Sequence, residues 1–144
     1  MEVIAAFEID CPILKQGSEY YPTADYLRSI TVHLAIDAQA SIHPKNEISE
    51  GAKMIIKESK NDDPRPLYVL VWGSMTDIAQ ALHTAPEIKT NIRVYSIGSF
   101  NTKRDTISRN YVFNEQPDLY FTKPKYYFPW DIPRWKTKYR FREC

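Results

Sequence analysis

Two short segments carry residues whose types and spacing suit ligand chemistry. Trp72-Gly73-Ser74 and Ile97-Gly98-Ser99 each place a glycine and a serine at the end of an apolar run. In an open parallel sheet, ligands bind outside the carboxyl ends of the strands, and a glycine there leaves main-chain N–H and C=O groups accessible. A helix beginning near Ser74 to Thr76 would also point its positive end at a ligand. The segments therefore predict a ligand site, with ordinary tight turns as the alternative.

The elements that must position these segments form a strand–helix–strand unit over Leu67 to Ser99. Leu67–Trp72 is continuously apolar, which favours a parallel strand covered on both faces. Apolar residues then recur at helical spacing, and Ile92–Ile97 is predicted to be the next strand. Strand, helix and strand within about 33 residues make a βαβ unit, which we expect to be right-handed.

The rest of the chain is predicted to hold two more strands and two more helices. The apolar run Val3–Ile9 predicts a strand at the start of the chain. Thr23 and Ser49 are candidate N-caps of two helices. Residues 100–116 are polar and are predicted to be irregular, whereas Leu119–Thr122 is predicted to be a short strand.

Several motifs between residues 48 and 121 match one known family in their order and spacing. The run VLVWGSMTDIAQAL, followed by IRVYSIGS, resembles the strand–Gly-x-Leu-Thr-Asn–helix segment and the next strand of the nucleoside hydrolase superfamily. The match is closer to a divergent branch, the nucleoside hydrolase-like domains sometimes described as cellulose-binding. Its motifs are Ser49-Glu50-Gly51, Asp63-Pro64-Arg65-Pro66-Leu67 and Trp72-Gly73, with the later run GSFNTKRDTISRNYVFNEQPDLYF.

This resemblance implies a fold, an activity and a set of site residues. The fold is α/β, with three layers and a mostly parallel, Rossmann-like sheet that we expect to be incomplete at the N-terminus. The implied activity is hydrolysis of the N-glycosidic bond of ribonucleosides or related glycosides, for which family members use Ca²⁺ and an activated water. By resemblance, the main-chain carbonyl of Trp72 binds the metal. The implied ligand contacts are Gly73, Ser74, Asp77, Asn101 and Asp105.

Two departures from the family pattern leave the activity open and the catalytic residues unassigned. The family's calcium-binding aspartate cluster has no counterpart before Trp72, where Glu8 and Asp10 are the only acidic pair on an early predicted strand. Asp77 stands where the common pattern has Asn, and its alternative role is a favourable charge at a helix N-terminus. The alternative to an enzyme is therefore a non-catalytic fragment or relic that binds a carbohydrate or nucleoside.

Composition sets the remaining expectations. The net charge of +1 argues neither for nor against a polyanionic partner. Cys11 and Cys144 are too few for a disulfide framework and make no metal site.

Because the sequence shows neither a signal peptide nor an apolar run of ~18 residues, we expect a cytoplasmic protein without membrane contact. Exposed edges of an incomplete sheet would favour a homo-oligomer.

We divide the chain into an α/β domain, residues 1–122, and an aromatic and basic tail, residues 123–144. The tail contains the run KPKYYFPWDIPRWKTKYRFR, which has no helical or strand period. Its aromatic side chains are expected to pack on the sheet while its charges stay solvated. Nucleic-acid binding through this run is the less favoured alternative, because interleaved aromatic and basic residues can stack bases and neutralise phosphates.

Overall fold

The computed structural model describes residues 2–35, 42, 47–97 and 103–122. The chain divides into two units, residues 1–33 and residues 34–144. Three features predicted from the sequence lie outside the described residues: Asn101 as a ligand contact, the Gly98-Ser99 turn, and the two alternatives for the tail, residues 123–144.

The first unit consists of two helices, α1 (Glu2–Gly17) and α2 (Ala24–Ile30). The strand predicted at Val3–Ile9 is therefore wrong. An amphipathic helical period overrides the short apolar run, because the half-buried positions of α1 recur at intervals of three and four residues. These positions are Ile4, Phe7, Cys11 and Leu14. Pro12 lies inside α1, although it lacks the N–H that a helix interior normally uses.

A side-chain cap and an ion pair define the second helix of this unit. Thr23 is confirmed as the N-cap of α2, because its hydroxyl oxygen accepts a hydrogen bond of 3.1 Å from the Tyr26 N–H. Arg28 donates through both terminal nitrogens to the Glu8 carboxylate of α1, with an Nη1–Oε1 distance of 3.3 Å. This hydrogen-bonded pair lowers the pKa of Glu8 below its ordinary value of 4.5.

The ion pair predicts a pH dependence confined to the acidic range. Because the pKa of Glu8 is lower in the folded unit, its contribution to stability is present above pH 4.5 and disappears as the pH falls through the lowered pKa. Arg28→Ala is expected to raise the pKa of Glu8 towards its ordinary value, which an NMR titration of the Glu8 carboxyl resonance would measure. Lys15→Ala is the control for loss of a positive charge. An unchanged Glu8 pKa in Arg28→Ala would contradict the ion pair.

The second unit is an α/β unit built on a parallel sheet, as the sequence predicts. In chain order its elements are α3 (Glu50–Ser59), β1 (Leu67–Val71), α4 (Thr76–Thr84), a 3₁₀ turn (Pro86–Thr90), β2 (Ile92–Ser96), α5 (Thr106–Asn110), a π turn (Tyr111–Glu115) and β3 (Tyr120–Thr122). The strands lie in the order β1-β2-β3 and both pairs are parallel. The irregular segment predicted at residues 100–116 is wrong for residues 106–115, which are helical.

The core of the second unit lies on one face of this sheet. Val71, Ile92 and Val94 are buried and belong to one cluster with residues of α3, α4 and the π turn. On the other face Tyr68 and Leu70 are 67% and 61% exposed. The prediction that β1 is covered on both faces is therefore wrong for the described residues. None of the helices that the structure describes is long and apolar enough to cross a membrane.

Candidate functional site

The candidate site is the loop between β1 and α4, residues 72–75, at the carboxyl edge of the sheet. Trp72 follows the last residue of β1 and is 70% exposed. Gly73 is also exposed, and a Cβ added to it would meet no described atom within 4 Å. Its φ lies outside the left-handed region, so the turn does not require glycine for backbone conformation. The glycine therefore leaves open space beside an exposed indole ring.

A buried carboxylate fixes this loop from within the unit. Asp105 has an exposure of 0%, and its Oδ2 accepts hydrogen bonds from the Met75 N–H at 2.9 Å and the Thr76 hydroxyl at 2.8 Å. Its Oδ1 accepts from the Ser108 N–H at 3.2 Å, so Asp105 is also the N-cap of α5. The structure thus places Asp105 beneath the loop, where its carboxylate joins the start of α4 to the start of α5.

Ser74 belongs to the same hydrogen-bonded group. Its hydroxyl lies 2.9 Å from the Thr76 hydroxyl and accepts from the Thr76 N–H at 3.3 Å. Thr76 therefore links Ser74 to Asp105. Of the predicted ligand contacts, the structure brings Gly73, Ser74 and Asp105 together at this loop.

Asp77 has a different set of partners, although it follows the loop by two residues. It lies in the first turn of α4 with an exposure of 8%. Its Oδ1 accepts hydrogen bonds from the Ser49 hydroxyl and from the Ala35 N–H. Asp77 thus joins α4 to the start of α3, and in both hydrogen bonds its carboxylate oxygen is the acceptor.

This junction explains the Ser49-Glu50-Gly51 motif. Ser49 is confirmed as the N-cap of α3, because its hydroxyl oxygen accepts from the Ala52 N–H at 3.1 Å. Its own N–H donates to Gln80 Oε1 at 2.9 Å. A Cβ on the buried Gly51 would lie 2.7 Å from Asp77 Oδ1, so only glycine lets α3 approach α4 this closely.

Gly51→Ala is therefore expected to lower the free energy of unfolding, although alanine favours a helix interior. The added methyl would also lie 2.7 Å from the Leu34 Cδ2 atom. Overpacking of this kind costs about 1–3 kcal/mol, against a gain of roughly 0.5–1 kcal/mol from replacing a helical glycine. Urea unfolding measures the difference.

Gly73→Ala is the matched control for this substitution, because its methyl would enter open space. We expect its stability to stay within about 0.5 kcal/mol of the parent. Equal stability of the two variants would contradict the close packing at Gly51.

Calcium is not accommodated by the described residues alone. Within residues 2–35, 42, 47–97 and 103–122, no group of three or more His, Cys, Asp and Glu side chains could hold a metal ion. The Asp77 and Asp105 carboxylates, the two acidic side chains among the predicted ligand contacts, already accept hydrogen bonds from protein donors. Calcium binding by the Trp72 carbonyl therefore stays a prediction.

Sequence reasoning missed the partners that position this loop. Thr76 and Ser108 are not identified from the sequence as partners of Asp105, although aspartate is among the residues favoured at a helix N-cap. The bond from Thr76 spans 29 residues, so no local pattern predicts it. The resemblance predicts that Asp105 contacts a ligand, whereas among the described residues its carboxylate accepts hydrogen bonds from Met75, Thr76 and Ser108.

Comparison with known proteins gives one family. The family model described as "Cellulose-binding Sde182, nucleoside hydrolase-like domain" matches residues 1–143. No curated protein and no solved structure matches the chain. The family match extends over more of the chain than the motifs at residues 48–121, and it includes both the first unit and nearly all of the tail.

Proposed function

Because this chain belongs to the nucleoside hydrolase-like domain family described as Cellulose-binding Sde182, we propose that it binds a β-linked glucan at the loop of residues 72–75. The observation that carries this proposal is the 70% exposure of Trp72 at the carboxyl end of β1. An indole ring combines a large flat apolar face with a polar N–H. That combination suits a pyranose ring, which has apolar C–H faces and hydroxyl groups at its edge.

The support beneath the loop favours binding. Met75 and Thr76, at the end of the loop and the start of α4, are held by the buried Asp105 carboxylate. A site whose geometry exists before the ligand arrives loses less conformational entropy on binding. The open space at Gly73 leaves room for a sugar unit beside Trp72. The half-buried Ser74 hydroxyl is a candidate polar contact.

Hydrolysis of the N-glycosidic bond of a ribonucleoside is the second candidate, and the nucleoside hydrolase-like description of the family favours it. Such a reaction needs a carboxylate that can reach the attacking water. Asp105 is fully buried, and Asp77 is nearly so. Both side chains accept hydrogen bonds from protein donors, so glucan binding fits the described residues better.

Binding and turnover assays on the full chain separate the two candidates. We expect insoluble cellulose to deplete the protein from solution. In calorimetry we expect measurable heat on titration with cellohexaose and none with inosine or uridine. The same nucleosides, incubated with excess Ca²⁺ or with EDTA, test hydrolysis by release of the free base. Base release that EDTA abolishes would favour the hydrolase over the binding module. Absence of both cellulose depletion and cellohexaose binding would contradict the glucan proposal.

A further inference from the structure

A chain of three polar side chains connects the interior of the second unit to the loop of residues 72–75. The Thr76 hydroxyl lies 2.8 Å from Asp105 Oδ2 on one side and 2.9 Å from the Ser74 hydroxyl on the other. Thr76 and Asp105 are both fully buried, whereas Ser74 is half-buried. The hydrogen bonds therefore run from a buried carboxylate to a hydroxyl that is partly accessible.

The direction of this chain is set at its buried end. Asp105 Oδ2 accepts a hydrogen bond from the Met75 N–H at 2.9 Å, and its Oδ1 accepts from the Ser108 N–H at 3.2 Å. A main-chain N–H can only donate, so both carboxylate oxygens are acceptors, as they are in an ionised carboxylate. The hydrogen between Thr76 and Asp105 therefore belongs to the Thr76 hydroxyl, which donates to the carboxylate.

The same argument then fixes the direction at Ser74. A hydroxyl group has a single hydrogen, and that of Thr76 is directed to Asp105. In the contact between the two hydroxyls, Ser74 must therefore be the donor. The Ser74 oxygen also accepts a hydrogen bond from the Thr76 N–H at 3.3 Å. Among the described residues, these bonds use the hydrogen of the Ser74 hydroxyl and one of its two lone pairs, and they leave the second lone pair available.

We propose that Ser74 is a specificity-determining residue that accepts a hydrogen bond from a hydroxyl group of the glucan and donates none to it. This inference rests on the proposed binding of a glucan beside Trp72, two residues earlier in the same loop. A free sugar hydroxyl can donate, whereas an ether oxygen or a carboxylate can only accept. The site therefore selects glucans with unmodified hydroxyl groups over etherified or acidic ones.

Thr76 and Asp105 are positioning residues in this proposal. They direct the hydrogen of Ser74 away from the ligand, and they do so without contacting the ligand themselves. Because both are fully buried, the direction is fixed before a ligand arrives. The accepting oxygen therefore needs no reorientation on binding, which lowers the entropic cost.

Sugar analogues bound to the full chain test which partner donates. The probes are methyl β-cellobioside and analogues in which one hydroxyl at a time is replaced by fluorine, which has no hydrogen to donate. NMR titration of the Trp72 indole N–H resonance measures each Kd. At one position we expect fluorine to weaken binding to the parent about fivefold, the contribution of one neutral hydrogen bond. In Ser74→Ala we expect the same two ligands to bind with affinities within about twofold of each other.

Substitution of Thr76 tests the part played by the buried end of the chain. Thr76→Val offers Ser74 no acceptor, so the hydrogen of Ser74 can turn towards the ligand. We expect the fivefold preference for the hydroxyl over fluorine to fall to about twofold or less, whereas Thr76→Ser keeps the hydroxyl and the preference. A purely structural role of Thr76 would weaken both ligands equally and leave this ratio unchanged. Urea unfolding reports whether each variant is folded.

The outcomes separate this inference from the proposed function. A preference that disappears in Ser74→Ala and falls in Thr76→Val, but not in Thr76→Ser, supports the inference. If the parent binds neither cellohexaose nor methyl β-cellobioside, the proposed function fails and the inference fails with it. If the parent binds the cellobioside but no hydroxyl position depends on Ser74, or if Thr76→Val keeps the full preference, the inference alone is overturned.

Discussion

Asp105→Ala is expected to lower the free energy of unfolding by about 3 kcal/mol or more, because it leaves three buried donors without an acceptor. These donors are the Met75 N–H, the Thr76 hydroxyl and the Ser108 N–H. Hydrogen bonds to a charged group contribute about 1.5–3 kcal/mol each, and loss of an N-cap costs ~1 kcal/mol. The side chain is fully buried, so water cannot replace it without rearrangement.

Asp105→Asn separates the hydrogen bonds from the volume of the side chain. Asparagine keeps one acceptor oxygen, but its amide nitrogen cannot accept from either Met75 or Thr76. We therefore expect a loss of stability between those of the parent and Asp105→Ala, measured by urea unfolding. Asp62→Ala, at an exposed aspartate, should stay within about 0.5 kcal/mol of the parent. A parent-like Asp105→Ala would show that the carboxylate does not hold the loop.

Trp72→Ala is expected to weaken glucan binding at least about tenfold while leaving the stability of the domain within roughly 0.5 kcal/mol of the parent. Stacking on the indole face is the interaction that the substitution removes. Because the residue is 70% exposed, little packing within the domain is lost. Depletion by insoluble cellulose and calorimetry with cellohexaose measure the change in binding.

Two matched variants make this result specific. Trp72→Phe keeps an aromatic face and is expected to retain part of the affinity. Tyr20→Ala removes an exposed aromatic ring from the first unit and should bind as the parent does. Unchanged affinity in Trp72→Ala would exclude this loop as the glucan site, even if the chain binds cellulose elsewhere.

Local patterns correctly predicted two helix caps, one in each unit, and two strands of the second unit. The caps at Thr23 and Ser49 were predictable because a side-chain oxygen bonds to an N–H only three residues away. The strands β1 and β2 were predictable from apolar runs of strand length that end at Gly-Ser pairs. Both the caps and the strands depend on residues that are close in the sequence, so they can be predicted from one sequence alone.

The first unit shows where such patterns fail. Val3–Ile9 is short and apolar, and a run of this length suits a buried strand as well as a helix. The longer spacing of Ile4, Phe7, Cys11 and Leu14 is the signal that agrees with α1. Pro12 obscured that signal, because a proline usually indicates the end of a helix.

The sequence by itself determined the βαβ unit, the family, and the place of the loop at residues 72–75, because each depends on local spacing or on the order of short motifs. Only the tertiary structure decided what the two aspartates do. Asp105 and Asp77 bond to residues about 30 and 28 positions away, and contacts at that separation depend on how α3, α4 and α5 pack. The same packing buries one face of the sheet and leaves Tyr68 and Leu70 exposed on the other, a difference that a continuously apolar strand does not reveal.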